Sequence, residues 1–248
     1  MTDLHSPRGA ANSTRPFRIA IVGGGTAGWM CAAALRNGLS HVDYALTLIE
    51  STDIGTVGVG EATLPCLKQF NDQLGLEEAD LMRATGATFK LGIYFSDWDR
   101  PGKAYLHPFG VFGESWNGIE FQHHWYRAAA AGSALPLEEY SFAASLAGSN
   151  RFALPTAEPQ AIRSTYSYAY HLDSTRYCAL LREWATRRGV HRIEDRVVQV
   201  NRDPESGDLE ALTLQSGVRV EADLFVDCSG FRALLLADTL ARKMHERA

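Results

Sequence analysis

The chain has 248 residues and a formal net charge of −5, with 46% hydrophobic and 21% charged residues. This balance is typical of a soluble globular protein with a sizeable core. The negative charge argues against nucleic acid or an anionic membrane as a partner, and no apolar run is long enough to predict a membrane span.

Residues 1–16 are polar and lack the apolar stretch of a signal peptide, so they are predicted to form a disordered tail. The four cysteines form no C-x-x-C pair, and the histidines lack H-E-x-x-H spacing. We therefore predict a cytoplasmic protein with reduced thiols and no metal site. Four arginines cluster locally, and a solvated helix face explains them better than a binding patch: Arg182, Arg187, Arg188 and Arg192.

The first predicted elements form a βαβ unit, in which a strand over 17–22 and a second over 44–50 flank a helix over 29–39. The first turn carries G-x-G-x-x-G, at Gly23, Gly25 and Gly28. In this motif the first glycine permits the turn, the second lets the backbone approach a pyrophosphate, and the third lets helix and strand pack closely. Because the motif stands between a strand and a helix, it predicts a dinucleotide site.

Glu50 closes the second strand, about 20 residues after the last glycine of the motif. A carboxylate in this position accepts hydrogen bonds from a ribose hydroxyl, which favours FAD or NAD over NADP. The sequence carries one such fingerprint, whereas a flavin enzyme with a second domain for NADPH usually carries two.

A second glycine-rich segment, G-V-G-E-A-T over residues 58–63, precedes a helix predicted from about Pro65 to Leu74. Its glycines would let the backbone lie flat against an isoalloxazine ring. On local grounds alone, a plain loop before a capped helix explains the segment equally well. A short helix is predicted to follow over Glu77–Thr85.

Residues 89–98 are predicted to form one strand, because apolar side chains alternate along it. Lys90 lies on the other face of this strand. A lysine in a strand is usually a solvated edge charge. The alternative is a partly buried ammonium group whose pKa falls on desolvation, as chemical use of the amine requires.

Residues 101–164 are rich in Gly, Pro, His and aromatic residues, and we predict an inserted, mostly helical substrate region with helices over 121–131 and 137–147. The later predicted elements are a helix over 173–188, a β-meander over 196–201, 209–215 and 218–222, and a buried strand over 224–228.

That last strand ends in D-C-S-G, from Asp227 to Gly230. In FAD proteins that begin with this βαβ unit, a late strand returns to the first sheet, and its terminal acid or backbone holds the ribityl or phosphate portion. A structural turn explains the tetrapeptide alone equally well, but together with the first motif it favours FAD over NAD.

We therefore predict an α/β fold: a Rossmann-like FAD-binding domain of the flavin monooxygenase type, with a β-meander. It would comprise residues 17–100 and 165–236, with 101–164 inserted and 237–248 as a terminal tail.

Four segments together resemble the flavin-dependent tryptophan halogenases over residues 17–236. They are G-G-G-T-A-G-W-M from Gly23, G-V-G-E-A-T-x-P from Gly58, F-K at Phe89–Lys90, and D-L-F-V-D-C-S-G-F-R ending at Arg232. The resemblance implies reduced FAD supplied by a separate flavin reductase, which with O2 converts a halide to hypohalous acid. Lys90 would activate this species by hydrogen bonding or as a haloamine, for electrophilic substitution of a tryptophan-like aromatic.

The cofactor contacts predicted from the motifs and the resemblance fall into three groups. The ADP half is assigned to Gly23, Gly25, Thr26, Ala27, Gly28 and Glu50, with the backbone of Val197 on the adenine. The flavin is assigned to Gly58, Val59, Gly60, Glu61, Ala62 and Thr63, and the ribityl or phosphate portion to Asp227 and Gly230.

The sequence departs from the family in its length and in one signature. Family members are much longer, the Trp-x-Trp-x-Ile-Pro signature is absent, and the glutamate that works with the lysine has no counterpart here. We therefore expect a truncated or fragmentary member. The alternatives are a non-catalytic flavin-binding fragment and a flavin-dependent aromatic monooxygenase, which would not need Lys90. Substrate, chloride or bromide preference, and homodimer formation stay open.

Overall fold

The computed structural model describes residues 15–52 and 60–236. Its strands are β1 (Phe17–Val22), β2 (Tyr44–Glu50), β3 (Gly60–Ala62), β4 (Thr88–Lys90), β5 (Gly92–Ser96), β6 (Ala104–Pro108), β7 (Ala169–Asp173), β8 (His191–Glu194), β9 (Val197–Arg202), β10 (Leu209–Leu214), β11 (Arg219–Glu221) and β12 (Leu224–Asp227). Its α-helices are α1 (Thr26–Gly38), α2 (Cys66–Gln73), α3 (Glu78–Thr85), α4 (Phe121–Ala130), α5 (Phe142–Gly148) and α6 (Ser174–Thr186). The described residues divide into two compact units, the first formed by 15–52 with 175–236 and the second by 60–174.

The first unit is built on a parallel sheet in the order β12-β1-β2-β8. The last four residues of β1 are all buried, as expected for a parallel strand covered on both faces. Helix α1 connects β1 to β2, which confirms the predicted βαβ unit and the α/β fold. The strands end at one edge of the sheet, where Val22 is in register with Asp227, and Glu50 with Glu194. Ligands of open parallel sheets bind at this edge.

The predicted β-meander is confirmed as an antiparallel sheet in the order β11-β10-β9. It shares a buried core with the parallel sheet, formed by Val22, Ile49, Leu212, Leu214 and Leu235. The helix predicted over 173–188 is α6, and the chain turns after it at Gly189, whose φ is +89°. Strand β8 follows and was not predicted. Its sequence H-R-I-E has one aliphatic residue, so it lacks the apolar run that marks β1.

The second unit contains the antiparallel sheet β3-β7-β4 and the hairpin β5–β6. The prediction of one strand over 89–98 was wrong, because the strand is interrupted at Leu91. On one side of Leu91, β4 pairs with β7, and on the other side β5 pairs with β6. Long-range pairing overrides the alternating pattern here, and the partner strands β6 and β7 were not predicted.

Two further predictions in the second unit need correction. Residues 60–62 of the predicted loop form β3, because they pair with β7. The helix predicted over 137–147 is divided into a 3-10 turn, Leu137–Tyr140, and α5. Ser141 separates them, because its backbone is extended and its side chain accepts a hydrogen bond from the Ala144 N–H as the cap of α5.

The predicted inserted region 101–164 holds α4 and α5 together with strand β6. It belongs to the same compact unit as residues 60–100. Compactness does not test which residues bind FAD, so the domain assignment stays a prediction. The predicted tails lie outside the described residues, apart from 15 and 16. Within residues 15–52 and 60–236, no helix is both long enough and apolar enough to span a membrane.

Candidate functional site

The glycine motif of the first unit forms a turn of tight backbone contacts. Gly23 has φ +113°, and a Cβ atom on it would lie 2.2 Å from the Cys228 carbonyl oxygen. A Cβ atom on Gly28 would lie 1.8 Å from the Gly23 carbonyl oxygen. These contacts agree with the roles predicted from the spacing, a strained turn at the first glycine and close helix packing at the third.

The middle glycine of the motif has different surroundings. A Cβ atom on Gly25 would meet no atom within 4 Å. Gly25 precedes α1, whose N-terminus has no side-chain cap and no acidic residue in its first turn. The first N–H groups of a helix have no partner within the helix and favour an anion. Thr26 and Ala27 stand in this first turn. The turn therefore fits the pyrophosphate of a dinucleotide, with open space where the phosphate would approach.

Glu50 is held at the edge of the sheet by a hydrogen-bond network. Its side chain is 10% exposed. The Trp29 indole N–H donates to Oε2 at 3.1 Å, the Arg192 guanidinium donates to Oε1, and Arg182 lies 3.5 Å from Oε1. The hydrogen bond to Glu50 raises the pKa of Arg192. A Cβ atom on Gly24 would lie 1.7 Å from Oε2, so this carboxylate rests against the glycine turn.

Sequence analysis did not identify the Trp29 and Arg192 contacts. The interpretation of the four arginines as one helix face was wrong for Arg192, which lies on β8 opposite Leu48 of β2. The other three are on α6 or just after it. Arg182 faces Glu50, Arg187 pairs with Glu183, and Arg188 stacks on Trp184. Predicting this contact would have required predicting β8, because the pairing of β8 with β2 brings Arg192 beside Glu50.

A polar open cleft of about 510 Å³ lies at the same edge of the sheet, lined by Ser51, Thr52, Glu194, Asp195, Arg196 and Gln215. The Thr52 hydroxyl donates to Glu194 at 2.9 Å. Hydrogen bonds from Thr52 and Arg192 hold the pKa of Glu194 below its ordinary value. Val197 begins β9 directly after this cleft. The structure thus brings the predicted adenine contact and Glu50 to one region of the first unit.

Asp227 ends β12, and its carboxylate is used within the chain. It accepts hydrogen bonds from the Ser229 N–H and hydroxyl at 3.0 and 2.5 Å, and from the Leu235 and Leu236 N–H groups at 2.8 and 3.2 Å. Burial acts to raise the pKa of Asp227, but these hydrogen bonds outweigh it, and the pKa is lowered. The side chain therefore shapes the D-C-S-G turn. Gly230 follows with φ +67° and open space around its Cα.

In the second unit, Lys90 ends β4 and is 6% exposed. Its Nζ donates a hydrogen bond to the Thr63 carbonyl at 2.8 Å and lies 5.3 Å from the centroid of the Phe109 ring. Burial lowers the pKa of Lys90 below its ordinary value. Of the two interpretations of this lysine, the structure excludes the solvated edge charge and matches the desolvated amine.

Of the six predicted flavin contacts, Gly58 and Val59 lie outside the described residues. Gly60 and Ala62 are exposed, and Glu61 is half-buried. Thr63 is also half-buried, and its hydroxyl is bonded to the backbone of Tyr170 on β7. Strand pairing with β7 therefore holds the described part of this segment.

A cluster of two buried phenols and one half-buried acid in the second unit was not predicted from the sequence. The Tyr168 and Tyr170 hydroxyls both donate to Oε1 of Glu78, at 2.6 and 2.5 Å. Burial and this carboxylate raise the pKa of both phenols above their ordinary value. Among the residues that the structure describes, no group of three or more His, Cys, Asp or Glu side chains is arranged to hold a metal ion.

Comparison with known proteins connects both units to one family. The sequence pattern of the tryptophan halogenase family matches residues 18–248. The chain is 34% identical to the tryptophan 6-halogenase SttH of Streptomyces toxytricini over 92% of this chain and 47% of that protein. It is 35% identical to the tryptophan 7-halogenase RebH of Lentzea aerocolonigenes over 88% of this chain and 43% of that protein.

A solved structure gives the same result. BrvH, a flavin-dependent halogenase from Brevundimonas sp. BAL3, is 46% identical, with a TM-score of 0.83 over 91% of this chain and 44% of that chain. The resemblance predicted from four segments is thereby confirmed. The chain spans about half the length of the relatives that it matches.

Proposed function

The chain belongs to the tryptophan halogenase family, and on that premise we propose that it binds FAD and carries the activating lysine of a flavin-dependent halogenase. The substrate would be an electron-rich aromatic such as tryptophan, and a separate flavin reductase would supply the reduced flavin. The observation that carries the proposal is Lys90, a buried lysine whose amine is held by a backbone carbonyl. A flavoprotein that only hydroxylates or stores flavin has no need of this group.

The residues of the first unit fit the ADP half of FAD. The open N-terminus of α1 at Gly25 would take the pyrophosphate, with Thr26, Ala27 and the close-packed Gly23 and Gly28 shaping the turn. Glu50 would accept from the ribose through the lone pairs that Trp29 and the arginines leave free. Val197 would lie beside the adenine, and Asp227 would support the turn that presents Gly230. We assign the flavin to residues 58–63.

Bound reduced FAD, together with O2, supplies the oxidising power that converts a halide to hypohalous acid. Lys90 can act on that product in two ways. Its ammonium can donate a hydrogen bond to the oxygen and polarise the O–X bond, or its neutral amine can take the halogen to form N–X and release water. An aromatic carbon then takes the halogen and loses a proton, so that HOX and the arene give the haloarene and water. Burial favours this chemistry, because it keeps bulk water from the amine.

The first test is an FAD titration followed by flavin fluorescence and absorbance. We expect saturable micromolar binding by the full chain. The Gly25→Ala variant should bind at least about tenfold more weakly, because a methyl group would occupy the space of the phosphate. Lys90→Ala is the matched control and should bind FAD like the wild type. No binding by a folded wild-type sample would contradict the proposal.

The second test adds a flavin reductase, NADH, O2, tryptophan and chloride or bromide, and detects halogenated product by mass spectrometry. We expect Lys90→Ala to lose halogenation while it retains FAD binding. Halogenation retained by this variant would contradict the role of Lys90. FAD binding without halogenation by the wild-type chain would favour the alternative of a non-catalytic flavin-binding protein.

A further inference from the structure

Thr63 is fixed to strand β7 by three hydrogen bonds. Its main-chain N–H donates to the Tyr170 carbonyl at 2.9 Å, and its hydroxyl donates to the same carbonyl at 2.9 Å. The hydroxyl also accepts from the Tyr170 N–H at 2.9 Å. Two of these three bonds use the side chain. Thr63 directly follows the three-residue strand β3. Its hydroxyl therefore continues the hydrogen bonding to β7 beyond the end of β3.

The carbonyl of the same residue holds Lys90. Strand β7 is the central strand of the sheet, with β3 on one side and β4 on the other. Lys90 is in register with Ala169, the neighbour of Tyr170. The amine of Lys90 donates to the Thr63 carbonyl at 2.8 Å. Thr63, which follows β3, therefore bonds to the central strand β7 through its hydroxyl and to Lys90 of β4 through its carbonyl.

We propose that Thr63 is a positioning residue for Lys90, whose hydroxyl locks its own main chain against β7 so that its carbonyl fixes the lysine amine. This inference rests on the proposed function, in which Lys90 is the reacting amine. It gives Thr63 a role in addition to the flavin contact assigned above. The hydroxyl is already committed to Tyr170, so Thr63 acts on the reaction through Lys90.

A charged amine in a desolvated site depends strongly on each acceptor that remains. Hydrogen bonds that involve an ionised donor are shorter and stronger than neutral ones. The carbonyl bond favours the ammonium form, and burial opposes it. If the Thr63 carbonyl moves away while Lys90 stays buried, the ammonium loses this support, and the pKa of Lys90 should fall further.

The test compares Thr63→Val, which removes the hydroxyl at nearly constant volume, with Thr63→Ser, which keeps it. The chain contains four lysines, Lys68, Lys90, Lys103 and Lys243. Their Cε resonances can be followed against pH by NMR after 13C-lysine labelling, with Lys90→Met identifying the signal. We expect Thr63→Val to lower the pKa of Lys90 by about one unit, on the scale of one hydrogen bond to a charged group. Thr63→Ser should leave it within about 0.2 units of the wild type.

An unchanged pKa of Lys90 in folded Thr63→Val would overturn the proposal. A rise toward the ordinary lysine value would also overturn it, because the amine would then have moved into water and Thr63 would serve only packing. A change in FAD affinity without a change in this pKa would overturn the proposal and leave Thr63 as a flavin contact only. Should Thr63→Val fail to fold, Thr63→Cys replaces it. The thiol is a weak donor, and a pKa equal to that of Thr63→Ser would overturn the proposal.

The titration needs neither FAD nor halide, so its result is separate from that of the proposed function. If the wild type binds no FAD but the pKa of Lys90 is lowered in Thr63→Val, the proposed function is contradicted and the link between Thr63 and Lys90 is supported. If the wild type binds FAD but the pKa of Lys90 is unchanged in Thr63→Val, the proposed function is supported and the link between Thr63 and Lys90 is contradicted.

Discussion

The glycine turn of the first unit and the Lys90 site of the second are held in different ways. In the turn, backbone packs against backbone, and the contact depends on the absence of Cβ atoms at Gly23 and Gly28. At Lys90, one side chain reaches a carbonyl 27 residues away, and that carbonyl is fixed by Thr63 bonds to a strand 107 residues further along the chain. The turn should therefore be destabilised when a Cβ atom is added to one of these glycines. The lysine site should be disturbed when the Thr63 hydroxyl is removed.

The largest expected effect comes from adding one carbon to the turn. In Gly28→Ala the new Cβ would lie 1.8 Å from the Gly23 carbonyl oxygen, a contact that neither backbone segment can relieve without moving. We expect a loss of about 3 kcal/mol or more in the free energy of unfolding. Urea denaturation followed by circular dichroism measures it.

Gly25→Ala is the matched control, because its Cβ would meet no atom within 4 Å. We expect it to cost about 1 kcal/mol or less, the ordinary difference between Gly and Ala at a helix cap. If the two variants are destabilised equally, close packing is not what fixes the turn.

The same contrast explains what could be predicted from the sequence. The glycine motif, its flanking strand and helix, and Glu50 lie within one contiguous stretch, so spacing alone predicts their geometry. The predicted strand bounds Phe17–Val22 and Tyr44–Glu50 agree with the structure. Local sequence suffices here because the βαβ unit places its own functional residues.

Sequence reasoning was insufficient where partners come from distant strands. The burial of Lys90 depends on β7, which was not predicted, and the contact of Arg192 with Glu50 depends on the register of β8 against β2. The cofactor contact at Asp227, through its acid or its backbone, stays a prediction; what the sequence did not indicate is that its carboxylate makes four hydrogen bonds within its own turn. For Lys90 and Arg192 the residue type was visible, but the partners are set by long-range pairing.

A second prediction tests whether the charge of Glu50 contributes to stability at the edge of the parallel sheet, in addition to the packing of the glycine turn. Glu50→Gln removes the charge that faces Arg192 and Arg182. Because the carboxylate is largely buried and the arginines are partly exposed, we expect a loss of about 1–2 kcal/mol, less than for a fully buried pair. The measurement is again urea denaturation, at moderate salt.

A double-mutant cycle with Arg192→Gln isolates the pair. We expect a coupling of about 1 kcal/mol, since the two side chains are in direct contact. Strict additivity of the two substitutions would mean that Arg192 contributes nothing to holding Glu50. The edge would then depend on the glycine packing, the Trp29 hydrogen bond and Arg182.

The smallest expected effect is the pH dependence of stability that the buried lysine should contribute. Burial lowers the pKa of Lys90 below its ordinary value of 10.5, so between the two values the unfolded chain binds more protons than the folded one. The contribution of Lys90 to stability should therefore rise with pH across this interval, and the unfavourable contribution of the buried ammonium should be fully present below it.

Lys90→Met lacks this titration, so the difference in unfolding free energy between the wild type and this variant should change with pH. Lys103→Met removes an exposed lysine and is the matched control. A difference between wild type and Lys90→Met that stays constant from pH 7 to 10.5 would show that Lys90 is solvated after all, and that the second unit does not hold its functional group by desolvation.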